Sequence, residues 1–128
     1  MNIISFENAQ FLKEKGFNIP INTFYLTCDE VIKNRVVAAV TRINWNQSHD
    51  LISAPSYDDV IDWLLETYNI RINIKYTKKI RYYFNIITPK TLNYDEKCDF
   101  LIKSINLFNT HHDAEMAAVE YALDHLLK

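Results

Sequence analysis

The sequence contains very little glycine: Gly16 is the single one among 128 residues, beside three prolines and two cysteines. Cys28 and Cys98 lie seventy positions apart and form no C-x-x-C pair, which excludes a recognisable zinc site or disulfide framework. Two reduced thiols fit a cytoplasmic location. The longest aliphatic run, residues 36–40, is far below the roughly 18 residues of a membrane span. We therefore expect a soluble cytoplasmic protein.

The chain also lacks a strong excess of either charge. Its net charge is −2, with 23% charged and 48% hydrophobic residues, a composition that excludes an intrinsically disordered chain. Its length is that of one compact domain, which predicts a single globular domain over residues 1–128. Because glycine is scarce, asparagine is expected to occupy the left-handed backbone positions in turns.

Helix signals occur at three places. Each pairs a hydroxyl residue at the N-cap with apolar residues at helical spacing on one face. In the second helix, Ser56 and Asp59 form a capping-box pattern, and Val60, Leu64 and Leu65 are expected to face the core. The predicted helices are 6–15 after Ser5, 57–68 after Ser56, and 111–127 after Thr110.

Alternating apolar and polar residues predict a β-hairpin in the middle of the chain. Residues 70–76 and 80–86 each have the period of two that is typical of a half-buried strand. The turn is expected near 77–79. Residues 22–27, rich in β-branched and aromatic side chains, predict a further short strand.

Three segments are less definite. Residues 28–46 fit either a helix or a hairpin, and residues 100–108 fit a strand, although 95–97 are also suited to open a short helix. The polar residues 44–50 predict a loop that holds Trp45. Together the elements predict an α+β fold, in which an antiparallel β-sheet packs one face against about three helices.

The predicted hairpin carries the sharpest charge feature of the sequence. Residues 70–90 contain six cations and no acid, in a chain of net charge −2. On an exposed sheet face such cations bind phosphates, and a tyrosine stacks on a base. The alternative is a solvated hairpin face on which lysine discourages edge aggregation. The candidate nucleic-acid-binding residues are Arg71, Lys75, Lys78, Lys79, Arg81 and Tyr83.

The remaining candidate sites are weaker. His111 and Glu115 lie one helical turn apart, but no third ligand has a recognisable spacing, so no metal site is expected. No base lies near either cysteine in the sequence, and no catalytic motif is found. Trp45 is a candidate interface anchor, since tryptophan is enriched at binding hot spots, with packing against the domain edge as the alternative.

Residues 6–17, 52–64 and 108–123 share a pattern of caps and core residues. In this pattern the chain resembles a group of small proteins that recurs in bacteriophages and prophages of Bacteroidetes-type bacteria. The group's function is not established, so the resemblance brings no catalytic residues with it. Residues 28–50, which are apolar here, depart from the polar hairpin and loop usual in that group. The resemblance is carried by residues 6–17 (ending Leu12-Lys13-Glu14-Lys15-Gly16-Phe17), 52–64 (Ile52-Ser53-Ala54-Pro55-Ser56-Tyr57 and Val60-Ile61-Asp62-Trp63-Leu64) and 108–123 (Phe108-Asn109-Thr110 and Ala117-Ala118-Val119-Glu120-Tyr121).

We therefore expect a small non-enzymatic accessory protein of a phage or mobile element, without cofactor or membrane partner, that binds another protein or itself. If it is phage-encoded, it acts in the host-cell cytoplasm. One alternative is a nucleic-acid-binding module that uses the basic face of the 70–87 hairpin, which requires that no helix covers this face. The other is an enzyme without a recognisable motif, which requires a concave pocket with a histidine or cysteine beside a carboxylate.

Overall fold

The computed structural model describes residues 3–27, 35–79, 81–88, 100–104 and 106–127. These residues form helices and strands in mixed order, and the predicted α+β class is confirmed. A short 3₁₀ helix, Trp45–Gln47, and a π-helical turn, Ala122–Leu126, complete them. In chain order the elements are α1 (Phe6–Glu14), β1 (Ile21–Leu26), β2 (Val36–Ile43), β3 (Leu51–Ser53), α2 (Tyr57–Tyr68), β4 (Arg71–Tyr76), β5 (Tyr82–Thr88), β6 (Phe100–Lys103) and α3 (His111–Tyr121).

The described strands form two antiparallel sheets, with the strand orders β2-β1-β3 and β4-β5-β6. The chain divides into two compact units, Met1–Val60 and Ile61–Lys128, with one sheet in each. The alternation of apolar and polar residues indicates where strands lie, but it does not say which strands pair. The described part of the structure therefore has two sheets where the sequence predicted one. A single domain over residues 1–128 stays a prediction.

In the first unit, α1 begins and ends as its sequence predicts. The Ser5 hydroxyl accepts a hydrogen bond from the Asn8 amide at 3.3 Å, which satisfies one of the free N–H groups of the first turn. Gly16 follows the helix with φ +90°, a left-handed conformation that glycine adopts without steric cost. The turn places Phe17 in the core, where it is 1% exposed.

The buried face of β1 lies beside α1. Ile21, Thr23 and Tyr25 alternate along the strand with buried side chains. The Tyr25 hydroxyl donates a hydrogen bond of 2.7 Å to the Ile4 carbonyl, and its ring meets Phe6 edge to face at 5.3 Å. Burial raises the pKa of the Tyr25 hydroxyl, and the negative charge of Glu7 raises it further.

Strand β2 settles the choice between helix and hairpin for residues 36–43. It pairs antiparallel with β1, so a helix is wrong there, whereas residues 28–34 lie outside the described part. Thr23 lies opposite Ala38 and Ile21 opposite Ile43, so residues 39–42 of β2 face Asn22 alone. This bulge leaves Val40 fully exposed, at 102%.

The segment after β2 is more ordered than the predicted loop. Trp45–Gln47 is a 3₁₀ helix, and Leu51–Ser53 form β3, a strand too short for its period to be visible in the sequence. The Asn46 side chain donates to the Phe17 carbonyl at 2.9 Å and accepts from the Ser53 amide at 2.8 Å. One asparagine thus joins the end of α1, the 3₁₀ helix and β3.

Helix α2 begins in the first unit and continues in the second. The Asp59 amide donates to the Ser56 hydroxyl at 3.2 Å, and the Ser56 amide donates to the Asp59 carboxylate at 3.1 Å, which confirms the predicted capping box. Leu64 is fully buried as expected, but Leu65 is 44% exposed and does not face the core. Asn69 ends the helix with φ 55°, which confirms the left-handed role expected of asparagine.

In the second unit, α3 packs against the β4–β5 hairpin. The Thr110 hydroxyl accepts from the Asp113 amide at 3.0 Å, so the predicted N-cap is confirmed. The Phe84 ring lies 6.2 Å from the rings of both Phe108 and Tyr121. Residues 100–103 are a strand, as one of the two predictions stated, while 95–97 lie outside the described part. Small residues such as Ala114, fully buried, let the helix approach the sheet closely.

Candidate nucleic-acid interface

The outward face of the second sheet collects cations around a tyrosine. In an antiparallel sheet, residues directly opposite each other project from the same face. Lys75 lies opposite Tyr83, Asn73 opposite Asn85, and Asn85 opposite Lys103. We call the set Arg71, Asn73, Lys75, Tyr83, Asn85 and Lys103 the basic face.

The basic face is open to solvent. Lys75 and Lys103 are exposed, while Tyr83 and Asn85 are half-buried between them. Helix α3 packs on the opposite side of the sheet, where the Phe84 ring contacts it. Whether a helix covers the face of Arg71, Lys75, Arg81 and Tyr83 stays a prediction.

A cation already lies on the central ring of this face. The Lys103 Nζ is 4.8 Å from the centroid of the Tyr83 ring, a cation–π distance. Lys103 was not among the residues expected from sequence, because its strand had an open assignment. The sequence Phe100-Leu101-Ile102-Lys103 has no period of two, so no local signal placed Lys103 on this face.

The other candidate residues of the hairpin lie at its turn. Lys78 and Lys79 are exposed at the tip. Arg81 precedes β5, and its backbone holds the turn: the Thr77 amide donates to the Arg81 carbonyl at 2.7 Å. These three cations form a charged end to the hairpin rather than part of the regular sheet face. The roles assigned to Lys78, Lys79 and Arg81 stay predictions.

Trp45, the candidate interface anchor, is half-buried in the first unit. Its indole N–H donates a hydrogen bond of 2.7 Å to the Ile21 carbonyl, and its ring lies 4.4 Å from the Phe24 ring. These contacts explain the position of Trp45 by packing against the edge of the unit. A role in an interface stays a prediction.

His111 and Glu115 approach each other as their spacing predicts. The His111 Nδ1 lies 3.8 Å from a Glu115 carboxylate oxygen, and the His111 ring meets the Tyr82 ring edge to face at 6.0 Å. Among the described residues, no group of three or more histidine, cysteine, aspartate or glutamate side chains is placed to hold a metal ion.

The first unit contains a pocket lined by a histidine and a carboxylate residue. Its volume is about 480 Å³, and His49 and Glu14 both line it. Both side chains are exposed. Lys13, also in the lining, donates its ammonium protons to the Ser48 and Leu51 carbonyls at 2.7 and 2.9 Å. These two hydrogen bonds hold residues 48–51 against α1.

None of the helices in the described part of the chain has the length and apolar character needed to cross a membrane. Comparison with known proteins adds no relative: no protein-family model, no curated protein and no solved structure matches this chain.

Proposed function

We propose that the chain is a non-enzymatic binding protein whose basic face binds single-stranded nucleic acid. The observation that carries this proposal is an open sheet face on which Lys75 and Lys103 flank a tyrosine ring. Cations neutralise phosphates, and an aromatic side chain provides a platform for an unpaired base. The resemblance to phage proteins further suggests an accessory role in a phage or mobile element.

The charge distribution supports an anionic partner for this face. The whole chain has a net charge of −2, yet the basic face contains three cations and no acid. Concentrating one sign of charge on one surface of a nearly neutral protein steers an oppositely charged ligand to that surface. A single strand fits better than a duplex, because the bases of a duplex are already stacked and do not reach Tyr83.

Fluorescence anisotropy with labelled single-stranded and duplex DNA and RNA tests this function at 50 and 200 mM salt. If the two lysines each neutralise one phosphate, single-strand affinity falls by about sevenfold over this range. The double variant Lys75→Glu/Lys103→Glu is expected to bind at least tenfold more weakly at low salt. Lys15→Glu/Arg35→Glu changes the net charge equally at exposed positions of the first unit and should bind nearly as wild type. Absent binding at 50 mM salt, or equal losses in both variants, would contradict the proposal.

A second candidate function, protein binding, is favoured by the outer edge of the first sheet. Among the described strands β2 lies at an edge of its sheet, and it exposes the apolar side chains of Val36, Val40 and Ile43. Arg35 precedes these residues, and Arg42 lies between Val40 and Ile43. Antiparallel pairing with a second copy brings these cations together, so the edge suits a different partner, an extended apolar segment flanked by carboxylates.

Binding of designed peptides tests this second function. A peptide of alternating valine and threonine with aspartate at both ends is expected to bind at least tenfold more tightly than the same peptide with lysine at both ends. Val40→Lys should weaken this binding, whereas Leu65→Lys, on the exposed side of α2, should not. Equal affinity for the two peptides, measured by isothermal titration calorimetry, would exclude this partner chemistry.

A further inference from the structure

Asn85 holds a polar atom that the fold leaves unsatisfied. Its side-chain oxygen, Oδ1, is shielded from solvent and accepts no hydrogen bond within the described part of the chain. Buried acceptors without a donor are rare, because each one loses its hydrogen bonds to water and gains nothing in return. The oxygen lies at the centre of the basic face, on a residue opposite both Asn73 and Lys103.

The Lys103 side chain starts opposite Asn85 and ends over the tyrosine ring. Its backbone pairs with Asn85, yet its Nζ lies over the ring of Tyr83, two residues away along β5. The side chain therefore runs along the sheet from the level of Asn85 to the level of Tyr83.

We propose that Lys103 is a displaceable cover and that Asn85 is a base-contacting residue. A phosphate draws the Lys103 ammonium off the ring, because a charge-assisted contact with an anion is stronger than a cation–π contact at an exposed site. A base then stacks on Tyr83, and its exocyclic amino group donates a hydrogen bond to Asn85 Oδ1. The ligand is a single strand whose bases carry amino groups, and this inference rests on the proposed function.

The spacing of the two residues fits this arrangement. Tyr83 and Asn85 project from the same face at neighbouring positions of one strand, roughly 7 Å apart. A base stacked on the ring, extended by one hydrogen bond from its amino group, spans such a distance. Asn22, an exposed asparagine on β1 in the first unit, provides a matched strand amide outside the basic face.

Two oligonucleotides that differ only in the amino group test the inference. Wild-type protein is expected to bind a ten-nucleotide deoxyadenosine oligomer about fivefold more tightly than an oligomer in which each adenine is replaced by unsubstituted purine. This ratio corresponds to the free energy of one neutral hydrogen bond. Asn85→Val should remove this difference, while Asn22→Val should retain it. Circular dichroism spectra matching wild type show that both variants are folded.

The outcomes separate this inference from the function on which it rests. Equal wild-type affinity for the two oligomers, with binding still dependent on salt, overturns the role of Asn85 and leaves the basic face as a nucleic-acid site. A folded Asn85→Val variant that still distinguishes the two oligomers overturns it as well. Failure to bind either oligomer at 50 mM salt overturns the proposed function itself.

Discussion

Replacing Phe17 with alanine is expected to lower the free energy of unfolding by about 3–5 kcal/mol. Phe17 is 1% exposed and leads the fully buried side chains of the described core by volume. Its backbone is fixed on both sides, because its amide donates to the Leu12 carbonyl and its carbonyl accepts from Asn46. The site therefore cannot collapse around a smaller side chain, and the substitution leaves a cavity.

Urea unfolding followed by tryptophan fluorescence measures this effect and tests the domain prediction. Trp45 lies in the first unit and Trp63 in the second, so Trp63→Phe and Trp45→Phe backgrounds report on the units separately. Phe17→Ala should shift the unfolding transition reported by Trp45 to lower urea concentration. A decrease of less than about 1 kcal/mol in the free energy of unfolding would contradict the packing described. An equal shift of the Trp63 transition would support a single cooperative domain. Leu65→Ala, at a residue 44% exposed, is the control with a small effect.

The substitution Asn46→Ala is expected to lower the free energy of unfolding by about 2–4 kcal/mol, which is a large effect for a residue in a polar segment. It removes the donor to the Phe17 carbonyl and the acceptor for the Ser53 amide. Phe17 and Ser53 are each 1% exposed, so water does not readily replace the lost partner. Each unsatisfied buried group costs about 1–3 kcal/mol.

Asn44→Ala provides the matched control in the same segment. The Asn44 side chain accepts one hydrogen bond, from the Asn46 amide at 3.1 Å. Removing this side chain should lower the free energy of unfolding by about 1 kcal/mol. Thermal unfolding of the two variants beside wild type gives the comparison. Equal destabilisation by the two substitutions would show that Asn46 acts only through the local turn.

Local signals in the sequence were sufficient to predict all three described α-helices. The hydroxyls of Ser5, Ser56 and Thr110 lie three residues before the amides that they cap, so the capping interaction is contained within one turn. The β4–β5 hairpin was predicted for the same reason: alternation over residues 71–76 and 82–86 places apolar side chains on one face and polar ones on the other.

The remaining features depend on contacts between distant parts of the chain. Pairing of Val36 with Tyr25 decides that residues 36–43 are a strand, although their apolar pattern also suits a helix. Lys103 joins the basic face only because β6 pairs with β5. No local sequence signal distinguishes Asn46 from the other polar residues of its segment, because its partners Phe17 and Ser53 are 29 and 7 positions away. The sequence therefore predicted most of the basic face but missed the residue that covers its ring.

Asn69 occupies a left-handed backbone position, with φ 55°, between α2 and β4. In the denatured chain, asparagine samples fewer backbone conformations than glycine does, so less conformational entropy is lost when this turn forms. The chain contains one glycine in 128 residues, and the same argument therefore applies along almost its whole length. The composition thus restricts the denatured ensemble, a contribution to stability that requires no additional contact in the folded protein.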